Sequence, residues 1–115
     1  MKTVVFAEND ELVRELLGEI LTLLGYTWTL ARNAADVLDV LTTVKEVRPA
    51  LLILDIEMPG TKILIQQLKS DPVLHDLPII GVTGETREQL PEHVEDLLVK
   101  PFTISTIRQK LARCL

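Results

Sequence analysis

The chain has almost no cysteine, few aromatics and no long hydrophobic run, and each shortage excludes something. The single cysteine, Cys114, cannot close an internal disulfide and has no CxxC partner, so it reads as a bystander near the C-terminus. Aromatic residues make up 3% of the chain, so the core has to be built from Leu, Ile and Val. No apolar stretch approaches the ~20 residues needed to span a bilayer. The start, Met1-Lys2-Thr3 followed at once by a strand-like run, lacks the layout of a signal peptide. No basic patch stands out and the net charge is -5, which argues against direct nucleic-acid binding. There is no internal repeat, low-complexity tract or linker. A cytoplasmic protein that does not engage a membrane, with one domain over residues 1–115, is the expectation.

What the sequence does have is aliphatic strand material. Hydrophobic residues are 47% of 115, enough for one core and too many for disorder. The chain is organised around Leu51-Leu52-Ile53-Leu54-Asp55-Ile56-Glu57-Met58-Pro59-Gly60. Four aliphatic residues lead into one carboxylate, and Pro and Gly then stop the run. A continuous apolar run bounded by turn residues reads as a strand buried on both faces, in the middle of a parallel sheet. Asp55 then sits at its carboxyl end, where open α/β sheets place their ligands.

The flanking segments read as strands and helices in alternation. Thr3 to Ala7 is a first strand, and Asn9 or Asp10 can cap the helix after it. Leu12, Val13, Leu16, Leu17, Ile20, Leu21 and Leu24 form its apolar stripe, and Gly25 ends it. Tyr26 to Ala31 alternates and suits an edge strand, with Trp28 as packing. Asn33 caps a second helix to about Val47, with Val37, Leu38, Val40, Leu41 and Val44 inward. Thr61 to Ser70 suits a third helix carrying Ile63, Leu64, Ile65 and Leu68, followed by a turn at Ser70-Asp71-Pro72. Leu77 to Thr83 is a fourth strand. Gly84 to Val94 is polar and contains Pro91, so any helix there is short or broken. Leu97 to Val99 is a brief fifth strand, and a last helix runs to about Arg113 with Ile104, Ile107 and Leu111 inward. This order gives an α/β fold: one doubly wound parallel sheet with helices on both faces.

Such a sheet gathers Glu8, Asn9, Asp10, Asp55, Thr83 and Lys100 at one edge. Clustered acids raise each other's pKa unless a cation neutralises them. Mg²⁺ suits the place, because it takes one or two carboxylates and keeps waters for a phosphate. Lys100 adds a compact positive charge, and the Thr83 hydroxyl can donate to a phosphoryl oxygen. These parts match phosphoryl transfer, with Asp55 as nucleophile and an acyl phosphate as product.

With these motifs in order at strand ends, the chain resembles a receiver domain of a two-component response regulator over nearly its whole length. Glu8-Asn9 stands at the family's acidic pair, and Asp55 lies in its phosphoacceptor motif. Thr83 follows Ile79-Ile80-Gly81-Val82 at the switch hydroxyl, and Lys100-Pro101-Phe102 matches the Lys-Pro motif. The resemblance implies the flavodoxin-like strand order 2-1-3-4-5. It implies a phosphoryl group taken from a histidine kinase or phosphotransfer protein, and output to a downstream protein or a further effector domain. It implies Mg²⁺ held by Glu8, Asn9, Asp55 and the carbonyl of Glu57. Lys100 pairs with Asp55 or its phosphoryl group, and the Lys100–Pro101 bond is cis. The domain is a switch rather than an enzyme.

Three departures accompany the resemblance. Asn9 replaces a carboxylate, which lowers the expected affinity for metal; Asp10 more naturally starts the helix than compensates. The segment between Thr83 and Lys100 is short, leaving a reduced fourth helix. Leu97 stands where an aromatic switch residue is common. These changes keep open a second reading, a phosphorylation-independent protein-interaction module. A phosphohydrolase would need a second acid–base group and a substrate cap, and neither is visible. His75 and His93 are isolated and read as surface residues, as does the turn Glu85-Thr86-Arg87-Glu88.

Overall fold

The computed structural model describes residues 2–43, 48–86 and 89–115. Five parallel strands form one sheet in the order β2-β1-β3-β4-β5. The strands are β1 (Thr3–Ala7), β2 (Thr27–Ala31), β3 (Pro49–Asp55), β4 (Ile79–Thr83) and β5 (Asp96–Val99). Among the described residues four helices connect or follow them: α1 (Glu11–Leu23), α2 (Ala34–Thr43), α3 (Thr61–Ser70) and α4 (Ile104–Cys114). This is the doubly wound α/β sheet expected, with the expected strand order.

The period-two alternation of strand side chains divides the core into two layers. Val5, Ala7, Leu52, Leu54, Ile79 and Leu97 point to one face, under α2 and α3. Val4, Phe6, Leu51, Ile53, Ile80, Val82 and Leu98 point to the other, under α1 and α4. β1, β3 and β4 are therefore apolar at every sheet-interior position, which is why they read as unbroken hydrophobic runs. Pro49 stands at the first residue of β3, where its missing N–H costs least.

The helices follow local signals. Asp10 caps α1, its Oδ1 accepting from the backbone amides of Leu12 and Val13 at 2.9 and 3.3 Å. Asn33 does the same for α2 through Asp36 N at 2.8 Å. Gly25 terminates α1 with φ +87°, and Gly60 precedes α3 with φ +84°, both in the left-handed region glycine occupies without strain. Asp71 organises the turn after α3 by accepting from Val73 N and Leu74 N. Trp28 packs on Phe6 with ring centroids 5.3 Å apart and donates Nε1–H to Thr22 Oγ1. It is half-buried packing, on an edge strand as expected. His75 and His93 are exposed.

Several expected inward residues face solvent. Leu12 is 75% exposed, and Leu16, Ile63 and Ile104 are also exposed. On α1 the apolar residues cover more of the circumference than the sheet can, and the face centred on Leu17, Ile20 and Leu21 is the one buried. Val44 and the end of the second helix lie outside the described residues. So do Arg87 and Glu88 of the expected surface turn. The reduced fourth helix takes its extreme form: among the described residues 84–86 and 89–95 there is no helix. Val94 instead folds into the core from a turn closed by Val94 N to Pro91 O. Among the described residues no helix is long and apolar enough to cross a membrane.

Candidate functional site

The carboxyl ends of β1, β3 and β4 bring Glu8, Asp55 and Thr83 to one edge. All three are buried polar residues, Glu8 and Thr83 at 0% exposure and Asp55 at 4%. The Asp55 carboxylate is held by backbone amides: Glu57 N donates to Oδ1 at 2.9 Å and Asn9 N to Oδ2 at a long 3.4 Å. The turn beyond it is closed by Met58 N to Asp55 O and by Thr61 Oγ1–H to Ile56 O. Ile56 N donates to Val82 O, so β3 and β4 remain registered up to the residue before Thr83.

Glu8 lies between Asp55 and Lys100. Its Oε1 accepts from Lys100 Nζ at 3.0 Å and from Asp10 N at 3.1 Å, while Oε2 is buried with no hydrogen-bond partner. Burial pushes the Glu8 carboxyl above its ordinary value, the Asp10 amide and the Lys100 ammonium oppose that, and neighbouring Asp55 adds to it. Burial works against the Lys100 ammonium too. The Glu8 carboxylate outweighs that effect, with Asp55 and Asp10 adding, and holds Lys100 above its ordinary value. Lys100 N also donates to Thr83 O, and the Lys100–Pro101 bond is cis.

One sequence expectation changes here. Lys100 pairs with Glu8 rather than with Asp55, because the fully buried Glu8 has the greater need of a cation while Asp55 has backbone donors. The Thr83 hydroxyl donates to Glu57 Oε1 at 2.6 Å and accepts from Glu85 N. The same Glu57 oxygen accepts from Gly84 N at 2.7 Å. Sequence reasoning used only the carbonyl of Glu57 and missed its side chain. An acid two residues beyond a strand-end Asp was the available signal, but its reach depends on the turn. Asn9 is exposed, and Asp10 is occupied as the cap. Among the described residues no group of three His, Cys, Asp or Glu side chains is placed to hold a metal ion; the edge offers two carboxylates with the Asn9 amide beside them.

Sheet order, layering and a polar carboxyl edge define a flavodoxin-like α/β domain. Residues 4–112 match the family described as the response regulator receiver domain, and the chain belongs to that family. Receiver domains are signalling modules of two-component systems. The chain is 33% identical over 110 residues to the polar-differentiation response regulator DivK of Brucella anthropi, covering 90% of this chain and 87% of DivK. It is 30% identical over 109 residues to the phosphate regulon transcriptional regulatory protein PhoB of Pseudomonas aeruginosa. That match covers 89% of this chain but 46% of PhoB, so the chain spans less than half of that relative. Among solved structures, response regulator TrrA of Thermotoga maritima, in complex with Mg²⁺-BeF, superposes with a TM-score of 0.82 at 28% identity. Both chains are covered completely.

Proposed function

We propose that residues 1–115 act as one cytoplasmic phosphoacceptor receiver, with Asp55 taking a phosphoryl group from the phosphohistidine of a histidine kinase or phosphotransfer protein. The observation that carries this reading is the state of Asp55: a nearly buried carboxylate at the tip of the central strand, held by backbone amides, with the Glu8–Lys100 ion pair beside it. Oδ2 is the less restrained oxygen and the better nucleophile. It attacks phosphorus in line with the P–N bond, the new O–P bond forms, and the P–N electron pair returns to the departing imidazole. Lys100 supplies positive charge where the equatorial oxygens gain negative charge.

The oxygen donors fit Mg²⁺. An unpartnered, buried Glu8 Oε2 beside a second carboxylate is a place that a small hard cation would satisfy. Glu8, the Asn9 amide, Asp55 and the Glu57 carbonyl would hold it. Bound there, the ion would neutralise the carboxylates and the phosphoryl oxygens. Asn9 contributes no charge, so binding is weaker than at a site with two acids in that turn.

The added charge would alter binding to a downstream protein or to an effector domain. Acetyl phosphate with Mg²⁺ is expected to shift the amide signals of Asp55 and Thr83, and Asp55→Asn to abolish the shift. Unchanged spectra at millimolar Mg²⁺ would refute the reading. One observation favours a phosphorylation-independent interaction module instead: Thr83 and Gly84 already have an anionic partner in Glu57. That reading expects partner binding unaffected by Asp55→Ala.

A further inference from the structure

One carboxylate oxygen, Glu57 Oε1, takes both the Thr83 hydroxyl at 2.6 Å and the Gly84 amide at 2.7 Å. Both are short, charge-assisted hydrogen bonds. The backbone amide of the same residue donates to Asp55 Oδ1. Glu57 therefore bridges the acceptor aspartate and the tip of the neighbouring strand. Asp55 pairs with Val82 across β3 and β4, so Thr83 and Gly84 are the next residues on that side. The nearby ammonium, Lys100, is engaged by Glu8. A phosphoryl group on Asp55 would look to the β4 side for its remaining donors, and would find them holding a carboxylate.

We propose that the Glu57 carboxylate is a built-in occupant of the anion site that a phosphoryl group on Asp55 would enter, so that phosphorylation exchanges one anion for another. The proposal rests on the phosphoacceptor reading above. Its consequence follows from linkage. A bound group shifts a conformational equilibrium only by its differential affinity for the two states. Glu57 already draws the β4–β5 connection toward the turn after β3, as the phosphoryl group would. It therefore lowers both the affinity of the site for a phosphoryl-like anion and the conformational change that anion can drive.

The test is a titration with beryllofluoride in the presence of Mg²⁺, read at the Thr83 and Gly84 amides in the wild type, Glu57→Gln, Glu57→Asp and Asp55→Asn. Glu57 is exposed, so these substitutions leave the core intact. Replacing a charged acceptor by a neutral one is expected to tighten beryllofluoride binding roughly tenfold. Glu57→Asp keeps the charge but loses one methylene of reach, so displacement of the side chain predicts tightening close to that of Glu57→Gln. Asp55→Asn should not bind. Wild-type affinity in Glu57→Asp with tightening only in Glu57→Gln would overturn the proposal in favour of general charge repulsion. Equal affinities in all three chains that retain Asp55 would overturn it while leaving the phosphoacceptor reading standing. No binding in any chain, together with no reaction with acetyl phosphate, would remove both.

Discussion

Replacing Lys100 with Met tests the electrostatics of the site most sharply. In the native chain Glu8 is fully buried, its Oε1 accepts from Lys100 and Asp10, and its Oε2 accepts from nothing. Lys100→Met leaves that carboxylate with a single backbone donor. Removing one partner of a buried ion pair costs about 3–5 kcal/mol. The Lys100 side chain is 26% exposed, so water already shares its charge, and about 2–3 kcal/mol is the better expectation. The pH dependence gives the signature. Glu8 has a carboxyl raised above the ordinary 4.5 by burial, so the native state holds its proton more tightly than the unfolded chain does. That contribution favours folding at low pH and is lost as pH rises through the raised value. Without Lys100 the native value rises further, and the deficit grows with pH. Urea denaturation in magnesium-free buffer should show the full deficit near about pH 7.5 and less than about 1 kcal/mol near about pH 4. Adding Glu8→Gln should restore most of the loss at the higher pH. A deficit equal at both pH values, or one below about 0.5 kcal/mol at neutral pH, would mean that Lys100 does not stabilise the buried Glu8 charge.

Other outcomes follow from packing and surface charge. A Cβ at Gly81 would stand 2.9 Å from Ile56 Cγ2 and from Leu97 Cδ2, so Gly81→Ala should cost about 1–3 kcal/mol in chemical denaturation. Among the described residues a Cβ at Gly84 would meet only the Glu57 oxygens, at 3.7 and 3.9 Å, so Gly84→Ala should stay within about 0.5 kcal/mol of wild type. At Asp96, burial pushes the carboxyl up, but the Lys110 ammonium at 2.7 Å, the Leu97 amide and Arg113 outweigh it and hold it below 3.8. Its stabilisation is present above that value and lost as pH falls through the lowered one. Asp96→Asn should therefore cost about 1–2 kcal/mol at neutral pH and nothing at the acid end of the unfolding profile. A constant difference across that range would contradict the assignment.

Much of this was legible in the residues because it depends on local pattern. The run Leu51 to Leu54 announces a strand buried on both faces, and Asp10 and Asn33 announce the starts of their helices. Alternation of strands and helices then fixes which residues share the carboxyl edge. Orientation and partner choice were less legible. Leu12 has the spacing of a core residue, yet the sheet covers a single face of α1 and leaves it outside. Lys100 could answer either Asp55 or Glu8, and only the relative burial and backbone hydrogen bonding of the two acids decides. The link from Glu57 to Thr83 joins residues 26 apart through a turn whose path no periodicity describes.

Formation of an acyl phosphate on Asp55 can be read by trapping that bond. After incubation with acetyl phosphate and Mg²⁺, borohydride reduction cleaves an aspartyl phosphate and leaves homoserine where the aspartate stood. Peptide mapping should find homoserine at position 55, absent without acetyl phosphate and absent in Asp55→Asn. Aspartate unmodified at 55, or homoserine at another aspartate such as Asp10 instead, would contradict it.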